Sequence, residues 1–170
     1  MTTTDYLIDS LLVLLVLFQI KERKLTIQAI VRPVVIVGFA VANYFQNIPT
    51  AGNDLVLISV LALTGLSIGV ASALAVHMRR GDHGEVLARA GWASAFLWVL
   101  GMGSRFAFLV WITHGGSPAI ASFSASHSIT SGAAWTDALL GMAVLEVLGR
   151  SLTMALRRHQ LQVVGTPELA

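Results

Sequence analysis

Residues 132–159 read GAAWTDALLGMAVLEVLGRSLTMALRRH, and this last hydrophobic segment decides the class of the whole chain. It exceeds the roughly 20 mostly apolar residues that cross a bilayer core, yet Asp137, Glu146 and Arg150 lie inside it. At about 100° per residue, Glu146, Arg150, Thr153 and Arg157 share a face with Met142 and Leu139. Asp137 lies about 180° away, with Gly141, Val144 and Leu148. Charge on opposite faces and at different depths requires protein cover on both sides, so this helix belongs at the centre of a bundle.

The rest of the composition agrees. Of 170 residues, 55% are hydrophobic and 12% charged, whereas soluble domains carry about 25% charge, and the mean hydropathy is +0.75. The expected class is all-α: one membrane domain over residues 1–170, a polytopic transmembrane bundle of about five helices. The formal charge of +2 comes from basic residues beside hydrophobic segments, which topology explains without nucleic acid as a partner. With no cysteine, disulfides, thiolate catalysis and cysteine-held metal centres are excluded. The N-terminus lacks a basic lead and a cleavage site, so its apolar run reads as a retained helix.

Five spans follow, at about 6–20, 26–46, 54–78, 86–113 and 132–156, with a tail over 157–170. The first carries Asp9 about one turn inside, either solvated among headgroups or paired with a buried arginine. The second places Gln28, Arg32, Phe39 and Asn43 near one stripe that faces protein or water, and Pro33 is expected to kink it. The third has Ala62, Gly65, Gly69, Ser72 and Val76 on a small-residue stripe. Its G-x-x-x-G spacing admits a close neighbour, either within the chain or in an oligomer through the Gly65 and Gly69 face. Residues 79–85 read as a polar turn. The fourth span aligns Ser94, Trp98, Gly101 and Arg105, with Gly101 leaving room beside the guanidinium. Residues 114–131 read as a serine-rich surface cap, in which His114 and His127 lack a third ligand for a metal.

Lys21, Arg23, Lys24, Arg79, Arg80, Arg157 and Arg158 fall on one side, while the N-terminus and the connectors 47–53 and 114–131 hold no Lys or Arg. The N-terminus is therefore expected outside, the C-terminus in the cytoplasm and the chain in the cell membrane. By depth, Arg105 should pair with Asp137, and Glu146 with Arg150 at i and i+4.

A short first helix, the basic 21–24 turn, Arg32-Pro33, the deep Arg105, and Arg150 ahead of a basic tail resemble the CcdC-like family of small membrane proteins, associated by name with cytochrome c biogenesis. The resemblance implies a compact five- or six-helix bundle. The 114–131 loop and Glu146 depart from its layout.

No motif for a phosphate, haem, retinal or metal is present, so no cofactor is expected. Two function classes fit. One is a non-enzymatic accessory, or a carrier of a small hydrophobic ligand among membrane lipids. The other is an intramembrane enzyme acting on a lipid or isoprenoid, with Glu146 or Asp137 as a protonated acid. A small transporter is a third. An acid bridged by arginine is a poor proton donor and one facing an apolar cavity is a good one, so the partner of each carboxyl discriminates between the first two.

Overall fold

The structure is a computed structural model that describes residues 23–44, 49–81 and 84–163. The expected 6–20 span with Asp9 lies outside the described residues, as do positions 164–170. In chain order the elements are β1 (Arg23–Lys24), α1 (Ile27–Tyr44), α2 (Asp54–Leu74), β2 (Val76–Arg80), β3 (Val86–Ala90), α3 (Trp92–Trp111), a π-turn (Ile112–Gly116), α4 (Ser117–Ser126) and α5 (Gly132–Val163). Helix accounts for 79% of the described residues, which supports the all-α class, and α3 with α4 makes one bent run, so there are four helical runs among them.

Three runs among the described residues are long and apolar enough to cross a membrane: Asp54–Leu74, Trp92–Ser126 and Gly132–Val163. Their outward faces agree, because Val56, Val60, Leu63, Phe96, Phe106, Leu109 and Leu152 are exposed. Such a face is stable in lipid and costly in water.

Helix α5 is central. It packs against α1, α2 and α3 and touches both strands of the hairpin, and its buried positions include Ala134, Ala138, Gly141, Met142, Glu146 and Gly149. Its tightest partner is α2. A Cβ on Gly65 would strike the Met142 carbonyl and one on Gly69 the Glu146 carbonyl, while Gly149 abuts Leu66 in return. Small residues on both helices thus bring two backbones into contact, the main source of attraction between helices that hydrophobicity alone does not drive together in lipid. The close neighbour of the Gly65 and Gly69 stripe is α5 of the same chain, and this contact fills the face that was the other expected seat of an oligomer. Helix α1 continues through Pro33.

A small sheet corrects the expected boundaries. The third span ends at Leu74 and the fourth begins at Trp92, because Val76–Arg80 and Val86–Ala90 form an antiparallel hairpin with β1 added, in the order β1-β3-β2. Of the expected 79–85 turn, Arg79 and Arg80 belong to β2, and the described part beyond them is closed by Gly81 N–H to Glu85 O at 2.7 Å and by Gly84 at φ +80°. The reason lies in a period of two: Val76 and Val86 are buried while His77 and Arg89 are exposed, and apolar length had concealed that alternation. The fifth helix runs past 156 to Val163, into the stretch expected as a tail. The 114–131 cap contains α4, reached through a π-turn in which Gly115 takes φ +107°.

Two side chains tie the ends of the bundle. At the sheet end, Arg157 of α5 donates to Ala73 O at 2.7 Å and Val76 O at 2.8 Å, capping α2 where its free carbonyls and dipole favour a cation. At the far end, Asp54 is fully buried and accepts from Thr130 N–H at 2.7 Å and Thr130 Oγ1 at 2.6 Å.

Candidate functional site

Glu146 of α5 meets Arg105 of α3 inside the bundle. Arg105 Nη1 donates to Glu146 Oε2 at 2.7 Å, with side chains only 14% and 8% exposed. Gly101, one turn before Arg105, makes the seat: a Cβ there would run into the Glu146 carboxylate, whose Cδ would stand 2.7 Å away. One turn further along α5, Arg150 Nη1 donates to Ser72 Oγ at 2.8 Å and to Ser94 Oγ at 3.4 Å. Ser72 donates its own proton to Gly69 O at 2.9 Å, which turns its lone pairs toward the guanidinium. The result is a polar seam of two adjacent groups, Arg105 with Glu146 and, one turn along, Arg150 with Ser72 and Ser94, bordered by Gly69 of α2 and Gly101 of α3.

This geometry corrects the expected pairing. Arg105 takes Glu146 and leaves Asp137, which is half-buried and has no hydrogen-bond or ion-pair partner among the described residues. Arg150 turns to two serines in place of its i−4 neighbour. The cause is side-chain direction. Helical side chains lean toward the N-terminus of their own helix; α3 and α5 run in opposite senses, so Arg105 leans toward the sheet end and Glu146 leans away from it. The two tips close about one turn each. Asp137 matches Arg105 in backbone depth but lies about 180° around α5 from Glu146, on the face away from the seam.

Of the other expected site residues, Gly69 and Gly101 border Glu146 of the seam, while Gly65 lies against the backbone of Met142. Arg32 is exposed on α1 and has no hydrogen bond among the described residues. Gln28 and Phe39, on the same stripe, are exposed too. Asn43 falls in the last turn of α1. His114 and His127 do not meet: each ring shares its Nδ1 with a carbonyl of its own helix, Val110 O at 2.8 Å and Phe123 O at 2.9 Å.

An aromatic cleft at the far end has no counterpart among the expected sites. Phe108 of α3 stacks on Trp135 of α5 with centroids 5.3 Å apart, and Phe123 of α4 meets Trp135 at 5.9 Å. Trp135 Nε1 donates to Ser124 Oγ at 3.0 Å, tying α4 to α5. Beside Phe108, Ser124 and Trp135 opens a cleft of about 440 Å³, lined also by Ile120, Ile129 and Leu139. Its signal was present in the aromatic and isoleucine residues set among the serines of 114–131, but only the bend at Gly115 folds them over α5.

Comparison with protein-family models, curated proteins and solved structures finds no match to the chain.

Proposed function

We propose that this chain is a multi-pass protein of the cell membrane that works without catalysis, as an accessory or carrier that holds a small lipid-soluble ligand in the cleft between α3, α4 and α5. The observation that carries the reading is the cleft itself. At about 440 Å³ it falls in the range of small-molecule sites, and the rings of Phe108 and Trp135 are among its walls, with a few hydroxyls around them. A molecule with a flat ring and an apolar tail suits such walls.

The alternative, acid-initiated chemistry on an isoprenoid, needs a carboxyl kept protonated by an apolar site. Glu146 faces the guanidinium of Arg105 at 2.7 Å, a group that only donates, so the carboxyl meets it as an acceptor and not as a proton donor. The orientation in this proposal has the sheet end in the cytoplasm, on the ground of the one-sided Lys and Arg. The CcdC-like resemblance stays part of it through the layout of the arginines.

The test is to purify the full chain in polymer nanodiscs, extract it and count apolar small molecules per chain by mass spectrometry, beside Trp135→Leu. About one molecule per chain, enriched over the surrounding membrane and lost in Trp135→Leu, is the expected result. Bulk phospholipid alone in both samples removes the carrier function.

A further inference from the structure

At the opposite end, the three-stranded sheet carries a second cleft that neither the charge seam nor the aromatic cleft explains. The register sets His77 opposite Arg89, and places Lys24 and Arg79 on either side of Leu87 in the central strand. With a side-chain period of two, all four basic residues share one face of the sheet. Like charges on neighbouring strands repel, so a face of this kind favours anions near it. Glu85 answers Lys24 at 3.7 Å. His77 and Arg89 are exposed and have no hydrogen-bond or ion-pair partner among the described residues.

The cleft measures about 610 Å³ and its walls include His77, Arg79, Arg89, Gly91 and Trp92. His77 folds over Gly91, with Nδ1 3.6 Å from where a Cβ would stand on that glycine. Trp92 is 72% exposed and begins α3. His77 comes three residues after the end of α2, and Arg89 three before the start of α3. At about 3.3 Å per residue, the pair therefore stands within about 10 Å of the helix ends. A ring of this kind at a helix end belongs to the headgroup layer, and the cations above it reach the level of phospholipid phosphates.

We infer that this cleft binds the phosphate of an anionic phospholipid, with Arg89 and His77 on the phosphate oxygens and Trp92 against the glycerol and upper acyl chain. The guanidinium supplies a planar pair of N–H donors that matches two phosphate oxygens. Trp92 favours a lipid over free phosphate, because an inorganic ion has no use for an apolar wall. The inference rests on reading α2 and α3 as membrane spans, and it is independent of which side of the membrane the sheet occupies.

The experiment is native mass spectrometry of the full chain from phosphatidylcholine nanodiscs containing one-tenth phosphatidylglycerol. The intact chain retains phosphatidylglycerol at least about fivefold above its share of the bilayer. Arg89→Gln lowers that preference about fivefold, as expected for losing one juxtamembrane cation, Arg89→Lys keeps most of it, and Arg32→Gln, which removes an exposed cation elsewhere, leaves it unchanged. No preference in the intact chain overturns the site without recourse to any variant, as does an equal effect of Arg89→Gln and Arg32→Gln. Displacement of the lipid by 50 mM inorganic phosphate overturns it in favour of a free-anion site. Both leaflets of a nanodisc have the same composition, so a reversed orientation leaves these results untouched, whereas failure of the chain to enter the discs defeats the membrane reading itself.

Discussion

Arg105 of α3 and Glu146 of α5 form an ion pair at 2.7 Å in the middle of the bundle, and the carboxylate occupies the space that Gly101 leaves by having no side chain. Among the described residues the seam holds one carboxylate against two guanidiniums, since Arg150 lies one turn away on hydroxyl partners. Glu146 is thus the element on which the neutrality of the seam depends. A lone charge there faces protein and lipid in place of water, where the penalty is several kcal/mol.

The first prediction is a double-mutant cycle on that pair. Arg105→Ala and Glu146→Ala should each destabilise the chain in detergent by about 3–5 kcal/mol, and the double variant by clearly less than the sum, because neither member of the pair is then left without the other. Asp137→Ala, on the other side of α5, should cost about 0.5 kcal/mol or less. Thermal melts of the four variants check this, and additive losses for Arg105 and Glu146 would defeat the pairing.

How much of this was legible differs from element to element. Helix α5 declared its central place, because Asp137 and Glu146 point to opposite faces, and the Ser94, Gly101, Arg105 stripe marked the wall that α3 turns to it. The partner of Arg105 was not legible from backbone depth, which selects Asp137; only the opposed lean of side chains on antiparallel helices selects Glu146. The hairpin was hidden for a different reason. Val76 and Val86 continue the apolar runs of α2 and α3, so hydropathy merges them with the spans, and the alternation of Val76, His77, Met78 and Arg79 is too short to outweigh the helices on either side. Nothing in the sequence singles out Asp54, since its partner Thr130 is 76 residues away.

Gly101 supplies the second prediction. Gly101→Ala adds a methyl group where the Glu146 carboxylate lies, and the carboxylate is already held by Arg105. The expected loss is about 1–3 kcal/mol, the usual cost of added volume in a packed core. Gly103→Ala meets open space within 4 Å and should be neutral or slightly stabilising through helix propensity. Equal melting points for the two variants would show that Gly101 is not the seat of the acid.

Asp54 provides the third. It accepts two hydrogen bonds from Thr130 and is fully buried, so Asp54→Ala leaves the backbone N–H of Thr130 without its acceptor at a cost of about 1.5–3 kcal/mol for a charge-assisted bond. The residues that follow Thr130 line the aromatic cleft. Faster amide exchange over residues 127–135, with exchange in α2 beyond its first turn unchanged, is the expected pattern by hydrogen–deuterium exchange.

The orientation is tested without reference to function. Because the chain has no cysteine, a single one introduced as Ser122→Cys, at an exposed position of α4, reports its side unambiguously. It should react with a membrane-impermeant maleimide in intact cells, and a reporter fused after Ala170 should read cytoplasmic. Protection of the thiol together with an extracytoplasmic reporter reverses the proposed topology.

The last prediction separates a structural Glu146 from a catalytic one. Glu146→Gln keeps the shape of the side chain and an oxygen for Arg105, but it leaves both guanidiniums of the seam without a counter-charge. The single change should therefore destabilise the chain by about 1.5–3 kcal/mol. Removing the surplus cation as well, in Glu146→Gln with Arg105→Met, replaces a buried ion pair by a neutral contact of similar volume, which is often neutral or stabilising. Thermal stability should recover part of that loss and stay below the original, because Arg150 still lacks its counter-charge. The double variant then folds with no titratable proton on residue 146 and no arginine at 105. If such a chain still carries its apolar ligand in the extraction assay, the pair serves the fold alone. A double variant that folds but no longer supports the protein's cellular phenotype would assign the Arg105 and Glu146 pair a role beyond the fold and favour the enzyme over the carrier.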